Sequence, residues 1–124
     1  LRRVLTGKLC VSREMVLKMK SITKYEQWRE IIQQEKHLLL FVKTTNCSVC
    51  EGLFPQIAAL ESDSTIPFYV VNAAEVPEVA GQLSLYTAPV VILMKQGKEY
   101  ARYARFVPVQ EVIEKLQELK KWEE

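Results

Sequence analysis

Neither sign of charge dominates this 124-residue chain, in which 17 lysines and arginines face 15 acidic residues for a net charge of +2. The basic residues are scattered and most have an acidic neighbour. There is no electrostatic case for nucleic acid or for an anionic membrane surface as a partner. Long apolar runs are missing too. The longest, around "LLLFV" and "PVVILM", fall far short of the ~20 residues that cross a bilayer. Internal repeats, linkers and low-complexity tracts are also absent. Histidine occurs once and cysteine three times. Three cysteines are not a disulfide framework, and a close pair in a reducing compartment suggests metal or redox chemistry. Zinc needs about four ligands, and the only candidates besides the pair, Cys10 and His37, lie at unrelated positions. No metal is expected.

The opening "LRRVLTGKLCVSREMVLKMK" begins with two arginines, but Lys8 and Arg13 interrupt any signal-peptide core. The chain is expected to be unexported, cytoplasmic and monomeric. This stretch is basic and weakly periodic, unlike the remainder of the chain. Residues 1–20 are therefore set apart as an extension: translation starting at Met15 or Met19, a short extra helix, or a disordered arm. Residues 21–124 are expected to form one domain, long enough to bury a core without staples.

Cleaner signals begin at Ser21. "TKYE" has the form of a capping box, with Thr23 capping a helix whose Glu26 reaches back to it. Trp28, Ile31 and Ile32 come next at helical spacing. "HLLLFV" (37–42) is continuously apolar, as a strand covered on both faces must be; His37 is expected to start it, partly exposed. A helix over about 47–60 carries Pro55 inside it. "PFYVVNA" reads as a second buried strand, and "EVPEVAGQL" as a short helix with Pro77 in its first turn. "PVVILMKQGKEYARYARF" reads as two strands joined at "KQGK", where Gly97 permits a tight turn. The final helix sets Val109, Val112, Ile113, Leu116 and Leu119 on one face. Helices between the first strands imply parallel crossovers, and the last two strands an antiparallel hairpin. The expected architecture is α/β: a three-layer α/β/α arrangement around a mixed four-stranded sheet. Ligands meet the carboxyl ends of strands in such sheets.

At that end stands "TTNCSVCEGLFP". A cysteine at the first turn of a helix faces unpaired N–H groups and the positive end of the helix dipole, which favour its thiolate. A second cysteine three positions on lies one turn away on the same side, within reach of a disulfide. Cys47 would attack a substrate disulfide, and Cys50, more buried, would resolve the mixed disulfide. One other reading stays open here: a pair that merely fills a core.

The segment from about Ser21 onward resembles the thioredoxin superfamily, through "LLLFVKTTNCSVCEGLFPQIAAL" and "YTAPVVILMKQGKE" in that order. The resemblance implies a thioredoxin-like fold and a thiol–disulfide oxidoreductase working through Cys47 and Cys50 with no other cofactor. It also implies a cis Ala88–Pro89 bond beside the cysteines, offering backbone to the substrate. Tyr86, by its place in the sequence, reads as a strand or rim residue, with lining of the active-site groove as the alternative. The implied partners are protein disulfides, with a flavin-dependent disulfide reductase as electron donor. Departures from the family's pattern stand at the site itself. Asn46 replaces the usual Trp, Ser48-Val49 the usual Gly-Pro, and Phe41 a buried Asp in the preceding strand. Lys43 and Glu51 are the nearest ionisable residues. The expectation is a competent dithiol tuned differently from a general thioredoxin. The alternatives are a glutaredoxin-like reductase using a small thiol, faintly suggested by "TTNCSVC" and "TAP", and a redox-inactive module that presents a groove beside Pro89.

Overall fold

The computed structural model describes residues 19–61 and 65–123. Its elements run in the order β1 (Lys20–Ile22), α1 (Tyr25–Gln34), β2 (His37–Lys43), α2 (Ser48–Glu61), β3 (Phe68–Asn72), α3 (Pro77–Leu83), β4 (Val90–Lys95), β5 (Lys98–Ala104) and α4 (Val109–Glu123). The strands form one sheet ordered β1-β3-β2-β4-β5. β3 lies parallel to both β1 and β2, while β4 is antiparallel to β2 and to β5.

The sheet has five strands where the sequence leads one to expect four. The extra one, β1, has three residues, of which only Ile22 is buried, so it carries neither the length nor the alternation that marks a strand. Its partner β3 lies far along the chain. Met19 is buried in the core, and β1 crosses the boundary expected between residues 20 and 21. Residues 1–18, with Cys10, lie outside the described residues.

β2 is central, and its unbroken apolar run has a simple cause. Leu39 and Phe41 point into the layer shared with Ile57 of α2 and with Val112, Leu116 and Leu119 of α4. Leu38, Leu40 and Val42 point the other way, into the layer shared with Trp28 of α1 and with Val79 of α3. Period-two alternation puts adjacent residues on opposite faces, and both faces are covered. β5, at the edge, is only half-buried.

Two local expectations shift. Helix α1 is capped one residue later: Lys24 is the N-cap, and Gln27, not Glu26, reaches back. The Gln27 Oε1 accepts from the N–H groups of Thr23 at 2.8 Å and Lys24 at 3.2 Å, which satisfies donors that a helix start leaves free. His37 is buried, not partly exposed, because it lies inside the sheet opposite Lys95 of β4. The hairpin between β4 and β5 turns through Gln96 and Gly97, both at positive φ, the pattern of a two-residue turn that matches strand twist.

Candidate active site

The chain leaves β2 at Lys43 and re-enters regular structure at Ser48, so four residues make the turn at the sheet's carboxyl end. Asn46 takes it in the left-handed region, φ 60°, which asparagine tolerates better than most residues. Cys47 then stands where a capping residue stands. Its carbonyl accepts from the Glu51 N–H at 3.1 Å, and its Sγ accepts from the Cys50 N–H at 3.1 Å. A sulfur held at the start of a 14-residue helix meets both a free donor and the positive end of the dipole.

Cys47 and Cys50 are joined as a disulfide with their Cα atoms 5.2 Å apart, inside the range such bonds require. Their surroundings differ. Cys47 is half-buried, whereas Cys50 is 2 % exposed and belongs to the core layer of Phe41 and Ile57. The rings of Phe41 and Phe54 meet edge to face in that layer, 5.5 Å between centroids. The only buried polar or charged side chain among the described residues is His37, at the opposite end of β2. No buried carboxylate therefore underlies Cys50, in line with the phenylalanine at position 41.

On one flank of the disulfide lies an open groove of about 430 Å³, whose lining includes Lys43, Asn46, Cys47, Glu51, Asn72 and Glu75. Lys43 and Glu51, the nearest ionisable residues along the chain, both reach it. Ala88–Pro89 is cis. Ala88 borders the same core layer as Cys47, and the Pro89 carbonyl accepts from the Arg105 N–H at 2.8 Å. That bond ties the loop before β4 to the loop after β5. A second tie holds the loop's other end. Arg102 donates through Nη2 to the carbonyl of Leu83 at 2.6 Å, at the end of α3. Glu99 braces the guanidinium with two bonds of 2.8 Å, and its carboxyl is held below its ordinary value chiefly by these hydrogen bonds.

Val49 (62 % exposed), Tyr86 (88 %) and Phe106 (81 %) are the exposed large hydrophobic residues of the described chain. Val49 lies two residues beyond Cys47, and Tyr86 precedes Pro89 by three. Phe106 lies across a second groove from Val49. Of the three, Tyr86 alone is a groove candidate by sequence. Nothing in the local pattern distinguishes Val49 or Phe106 from a strand or helix residue about to be buried. No group of three or more His, Cys, Asp or Glu that could hold a metal occurs among the described residues.

The family profile described as Thioredoxin matches residues 18–118. The thioredoxin-like protein YdfQ of Bacillus subtilis is 36% identical over 86 residues, which cover 68% of this chain and 77% of that one. A thioredoxin of Mycoplasma pneumoniae is 25% identical over 101 residues, 81% of this chain and 96% of the relative. Among solved structures, thioredoxin of Plasmodium falciparum superposes with a TM-score of 0.74 at 21% identity, covering 78% of this chain and 98% of the other. Fasciola hepatica thioredoxin does so with a TM-score of 0.73 at 18% identity, covering 81% and 98%.

Proposed function

This chain belongs to the thioredoxin family and is a thiol–disulfide oxidoreductase, and on that premise we propose that Cys47 is its nucleophile and Cys50 its resolving thiol in the reduction of protein disulfides. The family acts on protein disulfides. In the first step the Cys47 thiolate attacks one sulfur of the substrate bond, forming a mixed disulfide and expelling the other sulfur as a thiolate. Cys50 then loses its proton and attacks Cys47, releasing the second substrate thiolate and closing the Cys47–Cys50 bond. Two electrons pass to the substrate, and the dithiol alone carries them. A flavin-dependent disulfide reductase restores the dithiol, and the site of action is the cytoplasm. The working unit is the domain of residues 21–124 together with Met19 and Lys20, which complete its core and β1, acting as a monomer.

One observation carries the choice of a protein over a small thiol: the exposed apolar side chains of Val49, Tyr86 and Phe106 on the segments around Cys47 and Pro89. Exposed apolar side chains gathered in one place mark a site for a macromolecular partner, and Val49 and Phe106 line one groove. A compact charged thiol gains little from it. Ala88 and Pro89 receive the substrate backbone, consistent with the cis bond and with Ala88 bordering the same layer as Cys47.

A Cys50→Ser variant tests this directly. It should accumulate covalent adducts with protein disulfides, while Cys47→Ser should form none and should reduce no model protein disulfide. Turnover by the unmodified protein should depend on a flavin-dependent reductase and not on glutathione. Equal support by glutathione would move the protein to the small-thiol class, and adducts on Cys47→Ser would remove the nucleophile assignment.

A further inference from the structure

Gly52 has no structural reason to be glycine. It lies in the second turn of α2, where only proline is a poorer helix former. Its φ is not positive, Gly97 being the one positive-φ glycine among the described residues. A Cβ built on Gly52 meets nothing within 4 Å, so neither backbone conformation nor packing excludes a side chain there.

The space it leaves open is a groove of about 370 Å³. One wall is α2, where Val49, Gly52, Leu53 and Gln56 line the groove at the i, i+3, i+4, i+7 spacing of a single helix face. The other wall is the connection from β5 to α4, which contributes Arg105, Phe106 and Val107. Four side chains, those of Val49, Leu53, Phe106 and Val107, are apolar beside Gln56 and Arg105, and Val49 and Phe106 are largely exposed to solvent. Each wall is tied to the reacting site, one through the chain and one through a hydrogen bond. Val49 sits in the turn between Cys47 and Cys50, and the N–H of Arg105 is bonded to the Pro89 carbonyl.

Resting on the assignment of Cys47 and Pro89 to a protein substrate, we infer that this groove is a side-chain subsite, taking a bulky apolar residue of that substrate near its reactive cysteine, and that Gly52 is its floor. Five residues of helix between Cys47 and Gly52 rise about 7.5 Å. An extended substrate advances about 3.3 Å per residue, so the residue read lies two or three positions from the substrate cysteine. An aliphatic or aromatic side chain placed there is removed from water between Val49 and Phe106; a serine gains nothing.

Matched disulfide-linked peptides test this, carrying Phe or Ser two and three positions to either side of the cysteine. The kcat/KM for each is normalised to that for a small disulfide such as bis(2-hydroxyethyl) disulfide. The unmodified protein should favour the Phe peptide about tenfold, the scale on which a hydrophobic pocket discriminates. Gly52→Leu should bring the ratio close to one, and Phe106→Ser should lower it severalfold. Gly52→Ala should raise the melting temperature while lowering the ratio, which separates loss of recognition from loss of folding. No preference in the unmodified protein, or a preference that survives Gly52→Leu, overturns the subsite and leaves the protein-disulfide assignment standing. Reduction of the small disulfide with no reduction of any peptide overturns both.

Discussion

The two cysteines should differ in reactivity by an amount the helix end allows one to work out. The Cys50 N–H lies 3.1 Å from the Cys47 sulfur, and reducing the disulfide leaves that donor at the helix terminus. A helix end stabilises a partly buried charge by up to about 2 kcal/mol, and each 1.36 kcal/mol is roughly a tenfold shift in protonation equilibrium. An ordinary thiol is about 3 % thiolate at pH 7; a stabilisation of about 1.4–2 kcal/mol raises that to between about a quarter and a half. Nucleophilicity falls as basicity falls, with a Brønsted slope near ~0.45, so most of this gain is offset and about threefold remains. Cys47 should therefore be alkylated about threefold faster than a free cysteine peptide. Cys50, 2 % exposed, should be at least about tenfold slower than Cys47, because a buried thiol neither ionises nor meets reagent readily. The assay is a substoichiometric pulse of iodoacetamide at pH 7 on the reduced protein, read by peptide mass mapping. Cys50→Ser keeps the backbone N–H, so the enhanced rate of Cys47 should persist in it. Equal modification of the two cysteines would refute the division of roles. A Cys47 no faster than the free peptide in Cys50→Ser would refute the helix-end argument and favour an idle pair.

Three further outcomes are expected. Trp28 is fully buried and donates through Nε1 to Gln82 Oε1 at 3.1 Å; Trp28→Ala should cost about 3–5 kcal/mol in urea unfolding, and a loss below about 1 kcal/mol would contradict the packing described. The Tyr69 phenol is pushed well above its ordinary value of 10.0, first by burial and then by its hydrogen bond to Glu35. Its folded pKa is raised, so the stability it contributes is full below pH 10.0 and falls as pH rises toward the folded value; Tyr69→Phe should lower neutral-pH stability by about 1–2 kcal/mol and flatten that alkaline slope. Glu99 is shifted the opposite way, below its ordinary 4.5, chiefly by its hydrogen bonds to Arg102. Its contribution is present above 4.5 and is lost as pH falls through the lower folded value. In an NMR titration Arg102→Gln should return the Glu99 midpoint toward 4.5, and the stability change should stay below about 1 kcal/mol because the pair is solvent-screened.

Most of the architecture is legible in the chain because it rests on short-range periodicity. The apolar block of β2, the 3.6-residue stripe of α4 and the Gln96-Gly97 turn all stand where the sequence indicates. The cysteine pair between strand and helix is equally plain, since its spacing and its place after an apolar run are local facts. The features that differ from expectation mostly depend on partners distant in the chain. β1 exists only because β3 offers it a parallel edge. His37 is buried because β4 lies across from it. The cap of α1 is a local exception: it sits one residue later because Gln27, not Glu26, finds two N–H donors.

At the site the division is sharper. The chemistry is written in the chain: two thiols one helical turn apart, a helix end beneath the first, and no carboxylate at Phe41. Those properties come from residue type and spacing along a single strand–turn–helix unit. What surrounds the thiols is a matter of tertiary packing. Apolar residues are normally buried, so nothing in their order along the chain distinguishes Val49 and Phe106 from core. The fold leaves them in solvent on two segments that the sheet brings together, and that juxtaposition of β5's exit with the outer face of α2 turns an ordinary helix glycine into the floor of a groove.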